Sequence, residues 1–266
     1  MKITIVGCGN MGLIYAKAFL KYNIVSQQDL LLAEKNETRK QELIGMNIGQ
    51  VCLVNDPRIS ESDIVILAVK PQDFDALSKE LRQVLKTKNI LVSIMAGMKI
   101  QRIEDALNQK SIVRAMPNSP AELGMGMTAF TAHNTLPIEQ VRKVETLLAT
   151  TGKAVFLEGE HLLDAVTALS GSGPAYFFYI VKHMIEAGKK MGFDEVSSAM
   201  LVKQTMLGAF HLVNNANKSL DDLIKAVASK GGTTEAALNT FEKNKIGEGL
   251  QEGIVSARDR ATELSK

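Results

Sequence analysis

Two patterns of apolar positions divide the chain. Over residues 1–158, short continuous apolar runs alternate with stretches in which apolar residues recur every three or four positions. Residues 3–6, 30–33, 51–54, 64–68, 90–95 and 112–115 read as strands, because unbroken apolar runs suit strands buried on both faces. Residues 11–21, 37–44, 74–86 and 100–108 read as helices. On the first of these, Met11, Ile14, Tyr15, Ala18 and Tyr22 make one stripe that can pack on a sheet. Residues 127–131 and 154–157 extend the sheet, with a helix over 137–148 between them. This alternation predicts a doubly wound, Rossmann-type α/β domain.

Residues 159–266 carry no convincing strand. Helices are predicted over 162–169, 175–191, 194–213, 220–228, 235–243 and 246–264. Pro174 just inside a helix start, and Ser219 three residues before Asp222, are start signals. The run from Ala175 through Val181 is apolar on every face, so it must be covered all round. A small helical domain supplies limited cover of its own, which predicts a partner subunit.

Composition narrows the function classes. At 266 residues with 45% apolar side chains, the chain can bury a sizeable core. A formal net charge of only +2, with acidic and basic residues interspersed, offers no basic stripe for nucleic acid and no polybasic surface for membranes. Two cysteines, Cys8 and Cys52, make no disulfide framework and suit a reducing compartment. Strand-like sequence from Lys2 onward carries the expectation that no leader precedes it, hence a cytoplasmic protein.

The candidate chemistry begins at Gly7-Cys8-Gly9-Asn10-Met11-Gly12, between the first strand and first helix. Gly7 permits a tight turn, Gly9 lets backbone approach a pyrophosphate, and Gly12 allows close helix–strand packing. The end of the second strand is contradictory. Glu34 suits a ribose 2′-hydroxyl and hence NADH, whereas Lys35, Asn36 and Arg39 could hold a 2′-phosphate. A solvated helix start is the plain alternative. Ser170 to Pro174 reads as an interhelix turn, and Thr233 or Thr234 after Gly231-Gly232 as a helix N-cap. The four histidines show no metal-ligand spacing, so no metal is expected.

Together these motifs resemble pyrroline-5-carboxylate reductases, and the resemblance spans essentially the whole chain. It rests on the glycine loop, Ala68-Val69-Lys70-Pro71, Ala96-Gly97, the run Arg114 to Pro120, the run Asp164 to Tyr176, and Gly231-Gly232-Thr233-Thr234. Lys230 stands where the family has proline, and Ser119 where it has threonine. The resemblance implies hydride transfer from NADPH, or NADH, to the C=N carbon of 1-pyrroline-5-carboxylate, giving proline. It implies an all-α dimerisation domain after the dinucleotide-binding one, and homodimers that can build larger rings. Gly7, Gly9, Asn10 and Met11 would hold the pyrophosphate, with Asn55, Val69, Lys70 and Ala96 lining the rest of the cofactor groove. Ser229, Gly231, Gly232 and Thr233 would face the substrate carboxylate with hydroxyl and amide donors, Thr234 the ring nitrogen, and Glu160 the site mouth.

Two other readings share parts of this pattern. A β-hydroxyacid dehydrogenase-like enzyme would use Lys182 on the first long helix of the second domain. A non-catalytic NAD(P)-sensing regulator would keep the glycine loop but lose the carboxylate donors.

Overall fold

A computed structural model describes residues 1–264. The chain forms two compact units, residues 1–172 with the chain from Ser256 onward, and Gly173–Val255. The boundary expected at 158/159 therefore falls inside the first unit, which also holds the helical segment after Glu160 and the end of the last helix.

The first unit contains β1 (Ile3–Val6), α1 (Asn10–Lys21), β2 (Leu30–Ala33), α2 (Glu37–Met46), β3 (Gln50–Cys52), β4 (Ile64–Leu67), α3 (Phe74–Val84), β5 (Ile90–Ser93) and α4 (Ile100–Leu107). It continues through β6 (Ile112–Met116), β7 (Gly126–Ala132), α5 (Ile138–Leu148), β8 (Gly152–Phe156) and α6 (Leu162–Val166). The sheet order is β3-β2-β1-β4-β5-β6-β7-β8. The first six strands are parallel, β7 runs antiparallel to β6, and β8 is parallel to β7.

Burial on both faces explains the unbroken apolar runs. Ile3, Ile5, Leu30, Leu32, Ile64 and Ile66 join one core with Tyr15 and Phe19 of α1 and Val144 of α5. The alternate residues Val6, Leu31, Val65 and Leu67 join the other, with Phe74 and Leu81 of α3 and Ile103 of α4. Each strand thus feeds two cores by the period of two that a pleated backbone imposes.

The second unit contains α7 (Gly173–Lys190), α8 (Glu195–Asn215), α9 (Leu220–Val227), α10 (Thr233–Lys243) and the first half of α11 (Ile246–Leu264). Asp194 caps α8 by accepting the Ser197 N–H at 2.8 Å, and Ser219 caps α9 by accepting that of Asp222 at 3.1 Å. A Cβ on Gly188 would run into the Ser198 hydroxyl, so glycine is what lets α7 and α8 approach so closely. Among the described residues no helix is long and apolar enough to cross a membrane.

One expected turn is absent. Residues Thr167–Gly171 form a π-helical turn and Gly173 already opens α7, so the glycines around Ser170 and Ser172 continue a helical path. Gly171 packs under the flexible end of Met116, where a Cβ would lie 2.6 Å from Met116 Cε and displace it.

Candidate active site

In a sheet of this order, ligands sit beyond the carboxyl ends of the strands where the order reverses, here between β1 and β4. The candidate cofactor residues lie at that edge. Gly7 follows β1, Asn55 lies beyond β3, Val69 and Lys70 follow β4, and Ala96 lies just past β5.

The three glycines of the loop do different work. Gly7 has φ +89°, and a Cβ there would lie 2.5 Å from Val69 Cγ1 and 2.9 Å from Val69 N. A Cβ on Gly12 would strike the Gly7 carbonyl. These two fold the loop against β4. At Gly9, by contrast, an added Cβ meets nothing within 4 Å, so the backbone is open to a ligand. Gly9 is also the N-cap of α1, which carries no capping side chain and no acidic residue in its first turn. Its first amides are left for an anion, in the field of the helix's positive end.

Glu34 and Arg39 both reach this loop. Glu34 Oε2 accepts the Cys8 N–H at 3.1 Å, and the Arg39 Nε–H donates to the Cys8 carbonyl at 2.8 Å. Burial, with Glu34 nearby, pushes the Cys8 thiol up to about 12. Asn36 caps α2 by accepting the Arg39 N–H at 2.9 Å.

The sequence reading missed a buried ionic cluster beneath this edge. Arg114, in the middle of β6 and 3% exposed, donates to Glu160 at 3.0 Å and to Asp164 at 2.8 Å. Glu160 Oε1 also accepts the Ile100 N–H at the start of α4, at 2.7 Å. These contacts give Glu160 a structural role, holding α4 and β6 together. The available signal was a charge inside the otherwise apolar Ile112–Met116 strand, which demands buried partners. Nearby, Asn118 accepts the Met127 N–H at 2.9 Å and donates to Ser170 Oγ at 3.2 Å. It lines a cleft of about 780 Å³ in the first unit, running from Asn10 and Met11 along α1.

In the second unit, the N-cap of α10 is Gly232, in extended backbone and without a side-chain cap. This corrects the N-cap reading of Thr233 and Thr234, which lie inside the helix's first turn. A Cβ on Gly232 would lie 2.6 Å from Ser229 Oγ and 3.0 Å from the Ser229 carbonyl, so a larger residue there would have to displace that hydroxyl. Two expected amide donors are already engaged. Gly231, at φ +72°, donates its N–H to Glu235 Oε2 at 2.7 Å, and Gly232 donates to the Ser229 carbonyl at 3.0 Å. The Thr233 and Thr234 amides, at the helix start, have no acceptor four residues back within the helix. Lys182 is an exposed side chain of α7 facing Glu186 at 3.9 Å.

Comparison with known proteins extends this picture. Residues 160–264 match the family model for pyrroline-5-carboxylate reductase dimerisation, and residues 2–97 match that for NADP oxidoreductase, coenzyme F420-dependent. The pyrroline-5-carboxylate reductase of Pseudomonas aeruginosa is 32% identical over 266 residues, covering 100% of this chain and 97% of that protein. The structure of the Coxiella burnetii pyrroline-5-carboxylate reductase matches with a TM-score of 0.88 at 30% identity, covering 100% of this chain and 98% of that one. A Plasmodium falciparum pyrroline carboxylate reductase solved with NADP bound has the same TM-score, 0.88, at 25% identity, with 100% and 98% coverage. Similarity at this level runs through both units, and the chain belongs to the pyrroline-5-carboxylate reductase family.

Proposed function

We propose that this chain reduces 1-pyrroline-5-carboxylate to L-proline with NADPH, NADH serving as an alternative donor. We further propose that it works in the cytoplasm as a homodimer able to build larger rings. The observation that carries the reading is similarity along the full chain, through both units, to reductases of that name.

When bound, the reduced nicotinamide supplies the hydride that adds to the C=N carbon. The protonated imine is already electron-poor, and its nitrogen keeps its proton as it becomes the secondary amine of proline. No strong acid or base is required of the protein, whose task is alignment and exclusion of water. Gly9, Asn10 and Met11 would hold the pyrophosphate at the start of α1, with Gly7, whose N–H goes to the Ala33 carbonyl, shaping the loop beneath it, and Asn55, Val69, Lys70 and Ala96 would line the remaining groove.

The start of α10 takes the substrate carboxylate. With the Gly231 and Gly232 amides engaged within the loop, these glycines supply its shape. The donors are the Thr233 and Thr234 amides and the Ser229 hydroxyl, in the field of the helix's positive end. Thr234 places its hydroxyl on the ring nitrogen and fixes the ring's orientation. Glu160, held by Arg114 and the α4 amide, stays outside the substrate set. Lys182 plays no part in this chemistry.

The homodimer accounts for the apolar surface of the second unit. Phe177, Phe178 and Tyr179 on α7, and Met200 and Phe210 on α8, are each more than half exposed in the single chain. A second copy is the cover this reading gives them, in keeping with the dimerisation model matched over 160–264.

Thr234→Ala tests the assignment. The Thr234 hydroxyl oxygen accepts the N–H of the protonated ring nitrogen, and removing one oriented hydrogen-bonding group from a closed site lowers turnover by about 10² to 10³-fold. NADPH affinity is expected to persist, since the glycine loop belongs to the other unit. Gly232 being the N-cap, the melting temperature should barely move. A fully active Thr234→Ala enzyme removes Thr234 from the mechanism.

A further inference from the structure

β2 ends on a carboxylate that fills three backbone donors at once. Glu34 Oε2 accepts the Cys8 N–H of the glycine loop at 3.1 Å. Oε1 accepts the N–H groups of Lys35 and Asn36, at 2.9 and 3.0 Å. Backbone amides converging in this way make an anion-binding nest, and here the protein supplies the anion itself.

The neighbouring cations are committed too. Lys35 pairs with Asp73 at 2.9 Å and Lys40 with Glu37 at 2.5 Å. Arg39 divides its guanidinium between the Cys8 carbonyl at 2.8 Å and Glu42 at 2.6 Å. Each basic side chain from 35 to 40 already faces an acceptor within the chain.

An acidic residue at the end of the second strand, beside the glycine loop, meets the adenosine ribose. The 2′-hydroxyl of NADH can donate to the Glu34 carboxylate and leave the nest intact. The 2′-phosphate of NADPH brings a second anion to the same donors, where it is repelled by the first. We infer that Glu34 is the residue that sets cofactor selectivity in this chain. By seating its own carboxylate on the Cys8, Lys35 and Asn36 amides, it competes with the 2′-phosphate and holds the preference for NADPH close to parity with NADH. The inference rests on the cofactor reading above and adds which residue restrains it.

The test uses the full-length protein and binding alone. NADP and NAD, which differ only in the 2′-phosphate, are titrated calorimetrically without substrate into wild type, Glu34→Gln and Glu34→Ser. Wild type should bind the two with similar affinity. Glu34→Gln keeps the side chain's length but loses its charge, and should bind NADP about tenfold more tightly with NAD affinity unchanged. Glu34→Ser, which empties the nest, should shift in the same direction. An unchanged affinity ratio in both variants, or equal gains for NAD, overturns the inference while leaving the cofactor reading intact. Failure of wild type to bind either dinucleotide overturns the cofactor reading and the inference with it.

Discussion

The two units spend their apolar residues in opposite ways. In the first, every residue of β1, β2, β4 and β5 is buried, and two cores close over the sheet from its two faces. In the second, α7 and α8 carry many large apolar side chains, yet only Gly173, Gly188 and Ser198 are buried among its described residues. The two small residues at 188 and 198 are buried because the helices touch there, and the large side chains on either side face outward. An apolar pattern specifies that a surface must leave water. It does not say which atoms will cover it. The strands find their cover within the same chain, whereas the helices carry a surface suited to a second copy.

The sharpest way to break this contrast is to charge the outward face. Phe178→Asp with Tyr179→Asp should cost several kcal/mol of assembly free energy, since two unpaired carboxylates would enter an apolar contact. Light scattering should show wild type as a dimer or larger and the variant as monomer. An active, monodisperse wild-type monomer would contradict the covered face.

Phe130→Ala probes the other side of the contrast. Phe130 is fully buried on β7 and packs edge-on against Phe156 at 5.5 Å between ring centroids. Its truncation should cost about 3–5 kcal/mol of stability in thermal or denaturant unfolding. Oligomeric mass below the transition should not change, and a loss of assembly here would mean that the units are not independent in their burial.

The smallest effect concerns the thiols. Burial, reinforced by Glu34 at Cys8 and by Asp56 at Cys52, pushes both from a usual value of 9.0 up to about 12. Burial raises Tyr15 in the same direction. The folded state therefore holds protons that the unfolded state releases, so this contribution to stability is complete below pH 9 and is lost as pH rises toward 12. A thiol reagent in mildly alkaline buffer should label neither cysteine until the protein unfolds. Rapid labelling of Cys8 in the native protein would show that the glycine loop opens.

Much of the first unit was legible because strands buried on both faces leave an unmistakable apolar run. Gln50–Cys52 shows the limit: this edge strand is shorter and lies earlier than the apolar residues 51–54 suggest, since an edge needs less burial to define it. The reversed direction of β7 could not be read, because alternation and burial are the same for either sense of pairing. The π-helical turn at Thr167–Gly171 was hidden by its glycines, which mark a break in most sequences and a close approach in this one. At the candidate site, the glycine loop and the Gly231-Gly232 pair were visible as motifs. Contacts across long stretches of sequence were not. Nothing local announces that Arg114 will meet Asp164, that Glu34 will hold the Cys8 amide, or that Glu235 will claim the Gly231 amide.

The second unit is an insertion between two parts of the first, and this bears on how the protein is made. Thr262 Oγ1 donates to Asp164 Oδ2 at 3.4 Å, and Ala261 is buried. A Cβ on Gly97 would lie 3.2 Å from the Leu264 carbonyl. All of these belong to the first unit, yet residues 256–264 leave the ribosome only after the whole helical segment has been synthesised. The sheet can assemble early from its sequential strands, but the loop beside Ala96 and the Arg114 cluster wait for their last neighbours. During synthesis, therefore, the helices emerge with their apolar faces uncovered while the first unit still lacks its C-terminal helical segment. The stretch of translation between Gly173 and Ser256 is the interval in which a chaperone has the most exposed surface to hold.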